Sequence, residues 1–441
     1  MRFFGSRGDS DTGAGEELRS LASPLRAPAD LEPLVEQAAD ARFVCIGEAS
    51  HGTHEFYRWR AELSRRLITE HGFTWIGVEG DWPDCWRINR WVRNRDDHDL
   101  DARDVLKHFH RWPTWMWANE EVADFLDWLR DWNSNQPSER QVSFYGLDVY
   151  SLWDSLRQTI SWLETNAPEA LPAAHQAWQC FAGYNEDPHS YARSLRMVDE
   201  ACEDDVVELL VHVRRLAMDG VPAEPEALDA ALNALVAADA EHYYRSMVLG
   251  NRQSWNIRDI HMADTIDLLA EHHGEHSKAL VWEHNTHVGD ARATDMADAG
   301  LVNVGQLVRE RHGGDGVVLV GFASHRGTVI AAERWGAPQE VMTVPEARAG
   351  SHEALLHETL GESAVLVFGP ERSGPWLDSR RGHRAIGVVY HPRREAGNYV
   401  ATVMGGRYDA LLWLEETTAL RPLHREGPPG EPELDTEPSG F

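Results

Sequence analysis

Phe43-Val44-Cys45-Ile46-Gly47-Glu48-Ala49-Ser50-His51-Gly52-Thr53-His54-Glu55 decides the fold class of this 441-residue chain. Four consecutive β-type apolar residues read as a strand buried on both faces. Gly47 then permits a tight turn, after which Phe56, Trp59, Leu63 and Leu67 recur at helical spacing as far as about His71. A buried strand feeding an amphipathic helix is the repeating unit of a parallel α/β sheet. The turn carries Glu48, His51, His54 and Glu55, with Arg60 one turn further on. Acid–base groups therefore stand at the carboxyl end of a strand, where open α/β sheets bind their ligands.

The arrangement recurs along the chain. Val78-Glu79-Gly80-Asp81, Gly146-Leu147-Asp148, Trp282-Glu283-His284-Asn285-Thr286-His287 and Phe322-Ala323-Ser324-His325 each follow a β-type apolar run. Strand patterns at about 42–46, 74–79, 141–146, 278–283, 316–322, 364–369, 385–390 and 409–414, joined by helical segments, predict a mostly parallel central sheet flanked by helices. From 150 to 275 the strand rhythm stops and long Ala-, Leu-, Glu- and Arg-rich segments take over, which reads as a helical insertion forming part of the ligand cleft. The chain thus divides into an N-terminal tail (1–28), an α/β catalytic core (29–149 and 276–424), the insertion (150–275) and a C-terminal tail (425–441).

Composition excludes several function classes. Asp and Glu total 72 against 42 Lys and Arg, a formal charge of −30, which argues against nucleic acid and anionic membranes as partners. The expected partner is a small-molecule substrate; the oligomeric state is not legible. Lys107 and Lys278 are the only lysines, and such an acidic, lysine-poor surface suits a salt-rich cytoplasm. The cysteines Cys45, Cys85, Cys180 and Cys202 form no Cys-x-x-Cys pair, so neither a zinc knuckle nor a redox motif is indicated, and a reducing, cytoplasmic compartment fits. No signal-peptide pattern opens the chain, and no window approaches the ~18 apolar residues of a membrane span.

At the strand ends, His51 is the candidate general base and Glu48 its orienting carboxylate, since an imidazole takes a proton from water near neutral pH when a carboxylate fixes its tautomer. Arg60 falls inside the apolar stripe of its helix and needs a carboxylate such as Glu48 or Glu79. Glu79 and Asp148 close apolar runs, unfavourable places for acids unless paired or used, although Asp148 equally suits a helix cap. His284 and His287 follow a strand, so they are not the helical His-Glu-x-x-His of metalloproteases. Glu48, His51, Glu79, His284 and His287 nevertheless make an acceptable nitrogen and oxygen set for Zn²⁺ or Mn²⁺; the sequence does not decide between a divalent metal site and a site with no cofactor. Gly47-Glu48-Ala49-Ser50-His51-Gly52 lacks the Gly-x-Ser-x-Gly spacing, so an activated water is a better nucleophile than Ser50. Most of the 18 tryptophans read as core; Trp82 and Trp86, just after Glu79, are the candidates for a substrate wall, with His54, Glu55, Asp148 and His325 as further substrate-binding candidates.

Taken together, Gly47-Glu48-Ala49-Ser50-His51-Gly52, Gly77-Val78-Glu79-Gly80, the block from Trp282 to Ala291, Asn303-Val304-Gly305-Gln306, Gly321-Phe322 with His325-Arg326-Gly327-Thr328, and Tyr408-Asp409-Ala410-Leu411 resemble the erythromycin esterase family in content and order, from about Pro33 to Leu423. The resemblance implies an α/β core with a deep cleft and, as in the antibiotic-resistance members, lactone hydrolysis with the histidine matching His51 as general base. It also places residues matching Glu48, Glu79, Arg60, His284 and His287 around that base. Other relatives are linked to succinoglycan production. Glu283 departs from the small residue expected before His-Asn, adding negative charge beside the proposed base. The expected activity is esterase or lactonase chemistry by a His-activated water; the rival readings are a metal-dependent hydrolase built from the same cluster and a non-catalytic glycan- or metabolite-binding protein.

Overall fold

The computed structural model describes residues 7–95, 99–184, 190, 191, 194, 202–218, 225–248 and 253–424. The expected C-terminal tail, 425–441, lies outside them. Two compact units emerge: the first comprises 1–76, 92–143 and 277–441, the second 77–91 and 144–276.

The first unit is a mixed α/β sheet flanked by helices. Its strands are β1 (Ala22–Pro24), β2 (Phe43–Ile46), the start of β3 (Trp75–Asp81), the start of β4 (Ser143–Asp148), β5 (Ala279–Trp282), β6 (Val317–Ala331), β7 (Glu340–Val344), β8 (Ala364–Val367), β9 (Arg380–Arg384), β10 (Tyr399–Val403) and β11 (Ala410–Thr417). β2 lies at the centre, with β5 parallel on one side (Ile46 opposite Trp282) and β6 parallel on the other (Ile46 opposite Val320). β11 runs parallel to β6, while β8 and β1 continue the edge antiparallel and β7 folds back antiparallel on β6. β9 and β10 pair separately. At the opposite edge the Thr74 N–H donates to Lys278 O, and Thr74 O accepts from the Ser143 N–H. β2 through β5 are buried along their whole length. That is why these strands read as unbroken apolar runs rather than alternating ones.

β2 is a topological switch: the strands on its two sides, β5 and β6, are both later in the chain and both parallel to it. Crevices open at the carboxyl ends of strands at such points. The His54–His71 helix after β2 buries Phe56, Trp59, Leu63 and Leu67 and ends on Gly72, whose left-handed φ of 72° suits glycine.

Two expectations fail here. The N-terminal stretch is not a tail as far as residue 28: an Arg7–Leu21 helix buries Ala14 and Leu18, the Glu17 carboxylate accepts from the Trp376 N–H, and β1 pairs with β8. Polar composition hid a helix whose few apolar residues all face the sheet edge. The run 385–390 is not a strand; it makes only isolated bridges, Ile386 to Ser50 and Val389 to Ala332. Its apolar side chains pack with Val329, Ala331 and Val344 in a small cluster of their own.

The second unit carries the carboxyl parts of β3 and β4 and a helical body: Leu152–Asn166, Leu171–Phe181, Glu203–Met218, Pro225–Val248 and Gln253–His273. Their core gathers Trp153, Leu156, Phe181, Tyr191, Leu209, Tyr243 and Tyr244. Cys180 and Cys202 are joined there by a disulfide, which their 22-residue separation did not suggest and which weakens the expectation of a reducing compartment. Cys45 and Cys85 are free and buried. Among the described residues no helix is long and apolar enough to cross a membrane.

Candidate active site

In the first unit, Asn285 ties three strand ends together. Its backbone N–H donates to Glu48 O (2.8 Å), its Nδ2 donates to Phe322 O (2.8 Å), and its Oδ1 accepts from the Phe322 N–H (3.2 Å). The residues after β2 and β5 are thereby fixed against β6. A Cβ on Gly47 would lie 2.2 Å from Asn285 Oδ1, so this approach requires glycine. Arg407 Nη2 closes the knot by donating to Asn285 O at 3.0 Å.

On this frame His51 Nδ1 lies 3.0 Å from Glu48 Oε1, and an Arg60 Nη lies 3.6 Å from the same oxygen. A carboxylate at Nδ1 holds the ring proton there and makes Nε2 the basic position. The His284 ring leans on His51, with centroids 4.8 Å apart and planes inclined by 38°. His284 Nδ1 accepts from the Thr286 N–H (3.3 Å) and lies 2.8 Å from Thr286 Oγ1, capping the short Asn285–Val288 helix. A neutral His284 consequently carries its proton on Nε2. One imidazole offers a lone pair and its neighbour an N–H.

Glu48, His51, Arg60, Glu283, His284 and His287 are each at most 4% exposed. Arg60 is sealed completely, with the rings of Tyr57, Trp282 and Trp117 at 4.5, 4.9 and 5.8 Å from its guanidinium carbon. Cation–π contacts and the Glu48 charge replace its hydration. Ser50 Oγ is hydrogen-bonded to Thr53 Oγ1 rather than to His51, so its hydroxyl is not poised as a nucleophile.

In the second unit, Glu79, two residues before the end of β3, and Asp148, the last residue of β4, share one guanidinium. Arg258 Nη2 lies 2.7 Å from Glu79 Oε1 and 2.7 Å from Asp148 Oδ2, and its Nε donates to Asp148 Oδ1 at 3.0 Å. Burial opposes the charge on Arg258, but the carboxylates prevail and hold it well above its ordinary pKa. The guanidinium is thus bidentate on Asp148 and makes a single charge-assisted bond to Glu79.

Each of the other candidates contacts protein groups of its own. Trp82 and Trp86 are not an open wall: both are buried and stack with Tyr145 (5.6 and 6.3 Å), and Trp82 Nε1 donates to Asp229, whose pKa burial raises to about 7. His54 Nδ1 pairs with Glu121 Oε1 at 2.7 Å, pinning the His54–His71 helix to the Glu120–Ser134 helix. The Glu55 carboxylate accepts from the Thr418 N–H (2.7 Å) and Oγ1 (2.8 Å). These two polar residues brace the first turn of their helix. His325 stacks on His357 beside Glu415, and burial and His357 together lower its pKa.

Several residues escaped the sequence reading. Arg258 lies 110 positions from Asp148, inside a segment legible only as helix, and its neighbours Ile257 and Asp259 give no local sign of its role. Buried Glu353 accepts from His383 Nδ1 at 2.7 Å, and His383 Nε2 lies 3.4 Å from Asn285 Nδ2. Burial pushes His383 below its ordinary pKa; it also pushes Glu353 up, but the hydrogen bond from His383 wins and holds that carboxyl at about 2. A neutral imidazole thus relays an ionised acid to Asn285.

The "Erythromycin esterase" family model matches residues 68–417. Escherichia coli erythromycin esterase type II is 25% identical over 320 residues, 68% of this chain and 73% of that protein. Two crystal structures share the fold. A succinoglycan biosynthesis protein gives a TM-score of 0.76 at 20% identity over 94% of this chain and 99% of the other. A mutant erythromycin esterase in its open conformation gives 0.64 at 18% identity over 93% and 97%.

Proposed function

We propose, for a chain that belongs to the erythromycin esterase family, that it is a hydrolase cleaving an ester or lactone of a bulky substrate with a water activated by His51. One observation carries the reading: Nδ1 of a buried histidine at the carboxyl end of the central strand faces a buried carboxylate at 3.0 Å, with a second imidazole against the ring. Glu48 orients His51 and stabilises the imidazolium that forms when Nε2 takes a proton from water. As the tetrahedral intermediate develops, the Nε2–H of His284 supplies charge stabilisation. Arg60, 3.6 Å from Glu48 Oε1, holds that side chain in place, and His287 lends a further polar side chain to the same strand end.

His51 has no solvent exposure, so turnover on this reading requires the site to open. The similar mutant enzyme was crystallised in an open conformation, which is consistent with such a motion. A panel of activated esters, lactones and macrolides, assayed in ¹⁸O-labelled water, tests the reading. Hydrolysis with one labelled oxygen in the product acid and no acyl-enzyme burst is the expected result. A stoichiometric burst of acyl-enzyme, or ligand binding with no product from any substrate of the panel, overturns it.

A further inference from the structure

A second cluster of metal-ligand side chains lies away from the Glu48–His51 pair. His325 sits on β6, Glu415 on β11, and His357 on the His352–Leu360 helix. The register of the two strands sets Ser324 opposite Leu414 and Arg326 opposite Glu416, so His325 and Glu415 stand side by side on one face of the sheet. Phe322, of opposite strand parity, packs on Phe56 of the helix that follows His51, so His325 projects to the other face.

One ligand atom from each of His325, His357 and Glu415 lies within 4.8 Å of the other two. His357 Nδ1 lies 2.5 Å from Glu415 Oε1, while Glu415 Oε2 and His325 Nδ1 are both buried and without a hydrogen-bond partner among the described residues. Two such atoms left unpaired are unfavourable in a buried setting, a penalty that a shared cation removes. From these positions we infer a divalent transition-metal site, of the Zn²⁺ class, formed by His325, His357 and Glu415.

The donor set suits that class: two imidazoles and one carboxylate favour Zn²⁺, Co²⁺ or Ni²⁺ over Mg²⁺ or Ca²⁺, which require more oxygens. Bonds of about 2.0–2.2 Å around a tetrahedron separate ligand atoms by about 3.4 Å, so the wider spacings must close while the His357–Glu415 contact opens to admit the ion. The rings are stacked at 3.7 Å with their planes 6° apart, and parallel lone pairs do not converge on one ion. Rotation of the His357 ring about its Cβ–Cγ bond, a soft torsion, brings its nitrogen to the shared point. That side chain is 42% exposed, so it has room to turn and gives the ion a way in, whereas His325 is fixed by burial. Three protein ligands leave a fourth position for water, and the ion would clip the His352–Leu360 helix to two strands of the sheet. The site is independent of the hydrolytic reading, because none of its ligands belongs to that machinery.

The test is calorimetric titration of chelator-stripped, dialysed full-length protein with Zn²⁺, supported by the visible absorption of Co²⁺. The wild type should bind one equivalent that His325→Asn and His357→Asn lose, and Glu415→Gln should weaken that equivalent at least tenfold. Melting temperature should rise with Zn²⁺ concentration in the wild type alone. Matching circular dichroism spectra in chelator establish that the variants fold, and the near-isosteric Glu415→Gln carries the test if a histidine variant does not. Wild-type stoichiometry and affinity retained in the folded variants, or no binding by the wild type at micromolar Zn²⁺, overturns the inference.

Discussion

Replacing Glu48 with glutamine separates what this carboxylate does for chemistry from what it does for the fold. Its Oε1 faces both His51 Nδ1 at 3.0 Å and Arg60 at 3.6 Å, and all three side chains are at most 2% exposed. Losing the charge removes both the tautomer lock and the stabilisation of the imidazolium. A positioned general base contributes about 10²–10⁴ in rate, so kcat/KM should fall by that factor, or about 3–5 kcal/mol of barrier at 1.36 kcal/mol per decade. Arg60 meanwhile becomes a buried cation with only aromatic neighbours, and stranding one member of a buried pair costs about 3–5 kcal/mol of stability. For a chain of this size each kcal/mol moves Tm by on the order of 1–2 °C. Adding Arg60→Met removes the stranded charge. The double variant should therefore regain most of the lost Tm while remaining as inactive as Glu48→Gln. Calorimetric melting and ester-hydrolysis rates on the same preparations distinguish the outcomes. Activity within threefold of wild type in Glu48→Gln, or recovery of activity along with stability in the double variant, would refute the reasoning.

Gly47→Ala should destabilise the protein by about 1–3 kcal/mol and depress turnover, because the added methyl meets Asn285 Oδ1 at 2.2 Å; wild-type denaturant midpoint and rate would show that the turn is not packed as described. The His54–Glu121 pair should give a pH-dependent stability difference between wild type and His54→Gln. The hydrogen bond to Glu121 raises the His54 pKa, so that contribution is complete below about pH 6.5 and fades as pH climbs through the raised value. Burial pushes Glu121 up, but the His54 hydrogen bond and backbone donors prevail and lower it, so its contribution is present above about pH 4.5 and fades as pH falls through the lowered value. Melting curves should thus diverge most between about pH 4.5 and 6.5, and a gap that widens above pH 8 would contradict the assignment. Cys180→Ser/Cys202→Ser, or a reductant, should cost about 3 kcal/mol, the loop-entropy value for a separation of 22 residues, seen as a lower Tm for the helical unit; an unchanged melt would show that the bond adds nothing.

The strand ends were legible because buried parallel strands leave an unmistakable mark, a run such as Phe43-Val44-Cys45-Ile46 stopped by Gly47 and an acid. Arg60, Glu79 and Asp148 were legible as polar groups placed where apolar ones were due, and Glu48, His51, His284 and His287 as polar groups just past such runs. What stayed hidden depends on partners far away in the chain. Nothing local marks Asn285 as the residue to which three strand ends are tied, or Arg258 as the cation between Glu79 and Asp148. Tryptophans after a strand look equally suited to a core and to a ligand wall, and only the stack with Tyr145 shows that Trp82 and Trp86 are packed. His54 and Glu55 read alike as ligand contacts and as helix braces, because a helix N-terminus needs polar partners as much as an active site needs reactive groups. The amino-terminal helix was lost for the opposite reason, its composition being polar while its buried residues are few.

The central claim is that the Nε2 of His51 takes the proton from the attacking water. Its most direct test is kcat/KM for His51→Asn against wild type across pH 5 to 9, on an ester the wild type hydrolyses, with fold verified by circular dichroism. The account predicts a loss of about 10²–10⁴ near neutral pH and the disappearance of the acidic limb that the imidazole imposes on the wild-type profile. A variant that keeps both its rate within threefold and that acidic limb would contradict it.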